Sequence, residues 1–186
     1  MDQEIKKSYD ILVQGGLILY PTDTVWGIGC DATNSKAVAK IYALKNREET
    51  KSMICLVNNI KMLKQYVESI PQSAIELIQQ AEKPTTIIYN NPKNLAKNLI
   101  SNDNTLGVRI ANNSFCNSLI DAFGKPIVST SANISGQSTP QSFEKISEQI
   151  LKGVDYIVNS HRKKKTSKPS SIIKLGTDGK VIIIRE

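Results

Sequence analysis

Hydroxyl and carboxylate side chains follow a buried strand near the amino terminus of this chain. The strand is predicted over residues 17–20, and Pro21 ends it because proline fixes its own φ and has no N–H group. Thr22, Asp23 and Thr24 then project from the carboxyl end of the strand, where ligands bind in open α/β sheets. Ordinary turns favour the same residue types. By itself, the segment is therefore as consistent with a turn held by local hydrogen bonds as with a binding loop.

Three cationic side chains surround one predicted helix-to-strand connection, and they are Lys45, Arg47 and Lys51. In a concave site they would neutralise a polyphosphate, and Arg47 would bind phosphate oxygens through two parallel hydrogen bonds. The helix macrodipole also favours cations at the end of a helix. The segment alone thus predicts either a phosphate site or a solvated helix end.

A second predicted strand, residues 127–130, runs directly into Ser131 and Asn133. A serine hydroxyl can donate to phosphate or carboxylate oxygens, and the Asn133 amide can orient a phosphate or a metal-bound water. A capped turn before a helix has the same composition. No Gly-x-Ser-x-Gly motif surrounds Ser131, and the only histidine, His161, lies in a basic segment, so serine hydrolase chemistry is not indicated.

Composition narrows the class of protein. With 186 residues and 40% hydrophobic side chains, we expect one domain over residues 1–186. The net charge of +7 favours polyanionic partners such as nucleotides or RNA. Cys30, Cys55 and Cys116 form no CxxC pattern, which fits a reducing cytosol. No apolar run is long enough for a signal or a membrane span, so we expect a soluble cytoplasmic protein without membrane contact.

Hydrophobic periodicity predicts alternating helices and strands. Five predicted helices begin near residue 5, at Asn34 or Ser35, and near residues 61, 72 and 114. A last helix is predicted over residues 143–150. Further strands are predicted at residues 53–57, 85–89, 106–110 and 156–158, and a hairpin joins residues 170–175 to 181–185 through a turn at 177–180. Gly27 and Gly29 are expected to allow a tight turn or a close approach to a ligand. These elements indicate a mixed α/β sheet flanked by helices.

Four motifs taken together resemble the YrdC-type threonylcarbamoyl-AMP synthase family. They are Tyr20-Pro21-Thr22-Asp23-Thr24-Val25-Trp26-Gly27-Ile28-Gly29, Lys45-x-Arg47, Gly107-Val108-Arg109 and Ser131-x-Asn133-Ile134-Ser135-Gly136. Their order and spacing agree with the family over nearly the whole chain. The joint occurrence of these motifs is far more specific than any one of them.

The resemblance implies a fold and an activity. The fold would be a twisted mixed sheet, of the α/β (α+β) class, with helices around a large basic cavity. The activity would condense L-threonine, bicarbonate and ATP into threonylcarbamoyl-AMP and pyrophosphate, with Mg²⁺ bound mainly through the nucleotide. This reaction is the first step of threonylcarbamoyladenosine formation on tRNA, so tRNA and downstream tRNA-modification proteins are the implied partners.

The resemblance also implies roles for individual residues. The threonine-binding positions are Thr24, Arg109, Ser131 and Ser170. The ATP-binding positions are Arg47, Lys51, Thr105, Asn133, Gln141 and Arg185. The implied catalytic positions are Lys45, Arg47, Ser131 and Asn133. No role is assigned to Asp23, and no metal-binding residue is expected.

Two segments depart from the family pattern. The segment Glu82-Lys83-Pro84-Thr85-Thr86 replaces a Trp-Pro-Gly-Pro-Leu-Thr-like sequence, and residues 162–169 replace a glycine-containing loop before Ser170-Ser171. The basic loop is expected either to close over ATP or to be a solvated charge run. Two alternatives therefore stay open: an RNA-binding protein of the same fold with little catalysis, and a related enzyme that acts on another small anionic substrate.

Overall fold

The computed structural model describes residues 2–49, 53–160, 162–163, 168–175 and 181–186. Its helices are α1 (Gln3–Val13), α2 (Ser35–Lys45), α3 (Ile60–Tyr66), α4 (Gln72–Gln80), α5 (Ser114–Phe123) and α6 (Glu148–Gly153). Its strands are β1 (Ile18–Pro21), β2 (Trp26–Gly29), β3 (Ile54–Val57), β4 (Thr85–Asn90), β5 (Thr105–Ile110), β6 (Ile127–Ser131), β7 (Tyr156–Ile157), β8 (Ser171–Leu175) and β9 (Val181–Arg185). Lys51, His161 and the predicted hairpin turn at 177–180 lie outside the described residues. Within those residues, no helix combines the length and apolarity that a membrane crossing requires.

The nine described strands form one mixed sheet in the order β7-β1-β2-β6-β3-β5-β4-β8-β9. Three neighbouring pairs are parallel, namely β1 with β7, β3 with β5 and β4 with β8. The other pairs are antiparallel, including the predicted hairpin of β8 and β9. The expectation of a mixed α/β sheet is therefore confirmed.

Helices pack against both faces of the sheet. The larger core lies on one face, where residues of α2, α3 and α6 join Cys55 and Val57 of β3. On the opposite face, α1 and α5 pack against Tyr20, Leu56 and Ile127. Successive side chains of a strand point to opposite faces, which is why Leu56 and its two neighbours belong to different cores. Part of this second face is not covered by α1 and α5. There, strand residues such as Ile54, Arg109 and Ser129 border a cavity.

Local capping explains where α2 begins and ends and where α5 ends. Asn34 caps α2, because its side-chain oxygen accepts hydrogen bonds from the N–H groups of Lys36 and Ala37 at 3.0 and 3.2 Å. The helix ends at Asn46, which has a left-handed φ of 49°. Helix α5 ends at Gly124 with φ 71°, as predicted. The sequence alone left Asn34 and Ser35 as equal candidates for the first cap.

Gly27 and Gly29, which were expected to allow a tight turn or a close approach to a ligand, lie in a strand. This strand, β2, pairs antiparallel with β1 through a turn at residues 22–25. A Cβ atom on Gly29 would lie 2.7 Å from the Tyr20 ring and 2.8 Å from the Val128 carbonyl oxygen. Gly29 therefore allows close contact between strands, rather than a tight turn or an approach to a ligand.

The single helix predicted over residues 143–150 is wrong. Phe143–Lys145 forms one 3-10 turn, and Ile146 leaves the helical conformation with ψ 130°. Ser147 is extended and caps α6, because its hydroxyl accepts the N–H of Ile150 at 3.5 Å. The apolar spacing of the segment is helical, but the serine starts a new helix within it.

Candidate active site

A cleft of about 690 Å³, including the solvent at its mouth, opens on the sheet face beyond α1 and α5. Strand register brings the lining residues to this one face. Ile54 pairs with Ser129, Gly27 with Ser131, and Ile172 with Arg185. The cleft therefore lies across β2, β6, β3, β5, β8 and β9. Three of these strands, β2, β5 and β6, carry sequence motifs that resemble the family, and each contributes a lining residue.

The walls of the cleft carry guanidinium and hydroxyl groups. The guanidinium groups belong to Arg47, Arg109 and Arg185. The hydroxyl groups include those of Thr22, Thr24, Ser129, Ser131, Thr139 and Ser170. No Asp or Glu is among the described residues that line the cleft. This composition suits an anionic ligand with several hydrogen-bonding oxygens.

The turn between β1 and β2 presents two threonines to the cleft. The Thr22 hydroxyl donates to the Val25 carbonyl at 2.7 Å and accepts the N–H of Thr24 at 3.1 Å. The two threonine hydroxyl oxygens are 3.0 Å apart. Thr22 thus holds the turn closed and fixes Thr24, which was predicted to bind threonine, in the wall of the cleft.

A residue of this turn, Asp23, forms an ion pair with Arg109. Nη2 of Arg109 is 2.9 Å from Oδ1 of Asp23, and the two side chains are only 3% and 4% exposed. Arg109 lines the cleft, whereas Asp23 is not among its described lining residues. Asp23, to which no role could be assigned from the sequence, therefore contacts an arginine that is predicted to bind threonine.

Arg47 enters the cleft from the end of α2. Its backbone N–H donates to the Tyr42 carbonyl at 3.0 Å, which closes the left-handed turn at Asn46. Burial lowers the pKa of the half-buried Arg47 guanidinium. The helix end therefore fixes the backbone of Arg47 and leaves its guanidinium at the cleft.

Lys45 does not line the cleft. It is 1% exposed, and its ammonium group donates to the carbonyl oxygens of Ser131 and Asn133. The N–H of Ser135 in turn donates to the Lys45 carbonyl at 2.8 Å. Lys45 therefore connects the end of α2 to the segment that follows β6, and it holds the backbone of Ser131 through the carbonyl group.

The buried ammonium group predicts a pH-dependent stability. Burial, with a smaller effect of the Arg47 charge, lowers the pKa of Lys45 from 10.5 to about 8. Between these two values the unfolded chain binds more protons than the folded chain, so the contribution of Lys45 to stability rises with pH. We expect the unfolding free energy of the native chain, relative to Lys45→Met, to increase by about 2 kcal/mol from pH 7 to pH 10 in urea titrations. A difference that stays constant or falls over this range would contradict the assignment.

Ser170 and Arg185 meet at the opposite wall. Nε and Nη2 of Arg185 donate to the Ser170 carbonyl at 3.0 and 2.8 Å. The Ser170 hydroxyl is 2.9 Å from that of Thr86, which is fully buried. Burial lowers the pKa of Arg185, and the nearby Arg109 charge lowers it further. The two predicted residues are thus joined to each other and face Arg109.

Asn133 shapes the segment that follows β6. Its amide group donates to the carbonyls of Ile134 and Gln137 at 2.9 and 2.8 Å. Its side-chain oxygen is buried and has no hydrogen-bond partner among the described residues. Asn133 is not a described lining residue, but it holds this segment beside Ser131.

Thr105 and Gln141, like Asn133, are predicted ATP-binding residues that are not among the described lining residues of the cleft. Thr105 lies at the far end of β5 from Arg109, and its hydroxyl donates to Asp103 at 2.8 Å. Gln141 is exposed and is not among the described lining residues. Lys51 lies outside the described residues. The structure thus joins Thr24, Arg47, Arg109, Ser131, Ser170 and Arg185 in one cleft.

Sequence reasoning missed Thr139 as a lining residue, and it gave no individual role to Thr22 or Ser129, although both lie in strand ends rich in hydroxyl groups. Ser129 shares a face of β6 with Ser131, because the two are separated by one residue, so strand alternation was the available signal. Nothing in the local sequence distinguishes Thr139. No group of three or more His, Cys, Asp or Glu in the described part of the chain is arranged to hold a metal ion.

Comparison with known proteins gives both a family and relatives. A family model for Sua5, YciO and YrdC proteins, described as "Telomere recombination", matches residues 10–186. The chain is 36% identical over 173 residues to the threonylcarbamoyl-AMP synthase of Pseudoalteromonas translucida. That alignment covers 91% of each of the two chains.

Two solved structures are similar to this fold. E. coli YciO is 25% identical with a TM-score of 0.86, over 100% of this chain and 91% of that protein. P. abyssi Sua5 in complex with L-threonine is 24% identical with a TM-score of 0.87. The match covers 100% of this chain but 55% of Sua5, so this chain spans about half the length of that protein. From the family model and the 36% identical relative, this chain belongs to the Sua5/YciO/YrdC family.

Proposed function

We propose that this protein condenses L-threonine, bicarbonate and ATP into threonylcarbamoyl-AMP and pyrophosphate. The observation that carries the proposal is one cleft with three guanidinium groups and several hydroxyls, in a chain 36% identical to a threonylcarbamoyl-AMP synthase. The cations suit two anionic substrates, and the hydroxyls suit a substrate that itself bears a hydroxyl group.

The amino acid would bind between Arg109 and the hydroxyl groups. Arg109 would bind the threonine carboxylate, because a guanidinium matches a carboxylate in charge and in geometry. Thr24, Ser131 and Ser170 would hold the side chain or the carbamate by hydrogen bonds. The near-complete burial of Thr24 and Ser170, at 6% and 3% exposure, makes these bonds selective.

The nucleotide would bind on the Arg47 and Arg185 side of the cleft. These two cations, with Lys51 from outside the described residues, would offset charge on the triphosphate and on the leaving pyrophosphate. Thr105 and Gln141 would contact ATP only beyond the described cleft. Lys45 would act indirectly, because it holds the backbone carbonyls of Ser131 and Asn133 and does not line the cleft.

The chemistry needs charge stabilisation and alignment rather than a protein nucleophile. The threonine amine forms a C–N bond to carbon dioxide derived from bicarbonate and releases a proton. A carbamate oxygen then bonds to the α-phosphorus in line as the bond to pyrophosphate breaks. The three cysteines are buried, and burial raises the pKa of each thiol, so none of them is suited to attack.

We propose that Mg²⁺ binds together with the nucleotide. No carboxylate is present among the described lining residues, so the phosphate oxygens would supply most of its ligands. The buried Asn133 side-chain oxygen without a described partner fits a role in holding a water of that ion. When bound, the ion would neutralise charge on the pyrophosphate as it leaves.

The wider setting is also part of the proposal. We propose a single domain over residues 1–186 in the cytoplasm, whose product passes to proteins that modify tRNA. An RNA-binding role with little catalysis was suggested by the net charge of +7, the basic run at residues 162–165 and the altered segment at residues 82–86. Lys164 and Lys165 of that run lie outside the described part. The family membership favours the synthase over this alternative, and also over an enzyme for another anionic substrate.

A coupled assay of pyrophosphate release tests the proposal. With ATP, Mg²⁺ and bicarbonate present, we expect the addition of L-threonine to start steady pyrophosphate release. Other amino acids and sugar phosphates serve as controls for a different anionic substrate. Binding of RNA with a steep salt dependence, but without threonine-dependent turnover, would instead support the RNA-binding alternative.

A further inference from the structure

Asp23 occupies a position that its neighbours in the sequence do not share. Thr22 and Thr24 line the cleft, whereas the Asp23 side chain is 4% exposed and is not among the described lining residues. Its Oδ1 is 2.9 Å from Nη2 of Arg109, whose side chain lines the cleft. Asp23 is therefore a buried partner of a cleft residue without being part of the cleft surface.

Arg109 also lies among like charges. Arg47 and Arg185 line the same cleft, and the Arg109 charge contributes to the lowered pKa of Arg185. Repulsion between guanidinium groups in a partly desolvated site is strong, because water screens it poorly there. Asp23, which does not line the described cleft, supplies a negative charge 2.9 Å from the Arg109 guanidinium.

We propose that Asp23 is a positioning residue that holds the Arg109 guanidinium in the orientation that binds the amino acid carboxylate. This inference rests on the proposed function, in which Arg109 binds threonine. The closed turn held by Thr22 gives Asp23 a rigid support, because the Thr22 hydroxyl bonds to the backbone of Thr24 and Val25 and these bonds span Asp23. The turn thus fixes both a substrate hydroxyl partner, Thr24, and the orientation of the arginine.

The proposal predicts a graded and selective loss of threonine binding. Asp23→Ala removes the partner of Arg109, and we expect the Kd for L-threonine to rise at least tenfold. Asp23→Asn keeps the size and shape of the side chain but loses the charge, and we expect a rise of about threefold. The Kd for ATP is expected to stay within about twofold in both variants, because Arg47 and Arg185 are unchanged.

Isothermal titration calorimetry with L-threonine and, separately, with ATP measures both constants without requiring turnover. Asp31→Ala is the matched control, because Asp31 forms an ion pair with Lys125 at the same 2.9 Å distance and does not line the cleft. We expect it to leave the Kd for threonine unchanged. If Asp23→Ala does not fold, the selective threefold change in Asp23→Asn decides the question.

Three results would overturn the proposal: an unchanged threonine Kd in the Asp23 variants, a parallel rise in the Kd for ATP, or an equal effect of Asp31→Ala. Failure of the proposed function is distinguishable from these. In that case the native protein binds threonine and loses affinity in the Asp23 variants, but releases no pyrophosphate. A native protein that does not bind threonine at all would overturn both proposals.

Discussion

Replacing Arg47 by alanine is expected to reduce threonine-dependent pyrophosphate release by at least about 10²-fold while the fold stays intact. The guanidinium of Arg47 lines the cleft, where it would offset charge that develops on the leaving pyrophosphate. The bond that closes the end of α2 comes from the backbone N–H of Arg47 and not from its side chain, so alanine preserves it. The loss should therefore appear in turnover and not in the thermal unfolding midpoint.

Lys36→Ala is the control for this experiment. It removes one positive charge from an exposed position of the same helix, away from the cleft. We expect a rate within about twofold of the native protein, because an exposed and screened charge contributes little. A near-native rate for Arg47→Ala would show that Arg47 has no role in phosphate neutralisation, and equal losses in both variants would reduce its role to net charge.

The second large effect concerns the substrate. L-2-aminobutyrate has the methyl group of threonine but no hydroxyl, and we expect its kcat/KM to be about 10⁴-fold lower than that of threonine. In the proposed complex the hydroxyls of Thr24 and Ser170, which lie in an almost water-free wall of the cleft, hydrogen-bond the substrate hydroxyl, and a substrate without a hydroxyl loses those bonds. Pyrophosphate release at varied amino acid concentration measures the ratio.

L-Serine separates the two groups of the threonine side chain, because it keeps the hydroxyl and lacks the methyl. We expect a loss of only about 10- to 200-fold, the range that one missing methyl group produces. If aminobutyrate is used as well as threonine, or better than serine, the hydroxyl groups of the cleft do not select the substrate.

Short-range chemistry made much of the fold predictable. Gly124 ends α5 and Asn34 begins α2 because glycine adopts a left-handed φ readily and asparagine caps helix N–H groups. Strand β2 was missed because its two glycines are typical of turns. Gly29 instead allows close packing between Tyr20 of β1 and Val128 of β6, strands that are about 100 residues apart in the sequence, and Gly27 lines the cleft.

The candidate site was predictable as a set of motifs but not as a set of contacts. The resemblance to a known family selected Thr24, Arg47, Arg109, Ser131, Ser170 and Arg185, which the sheet brings to one cleft. The sequence did not indicate that Lys45 would be buried against two carbonyls or that Asp23 would pair with Arg109. Each contact joins residues 86 or more positions apart, and local periodicity carries no information about such pairs.

Detection of the product from labelled bicarbonate tests the central claim most directly. The purified protein is incubated with ATP, Mg²⁺, L-threonine and ¹³C-bicarbonate. The nucleotide products are then separated by chromatography and identified by mass spectrometry. We predict threonylcarbamoyl-AMP that carries the labelled carbon and forms in equal amount to pyrophosphate. The product is expected to be absent without threonine and to form at least about 10²-fold more slowly with Arg47→Ala. Pyrophosphate without the labelled product, or no consumption of ATP by a folded protein that binds threonine, would contradict the account.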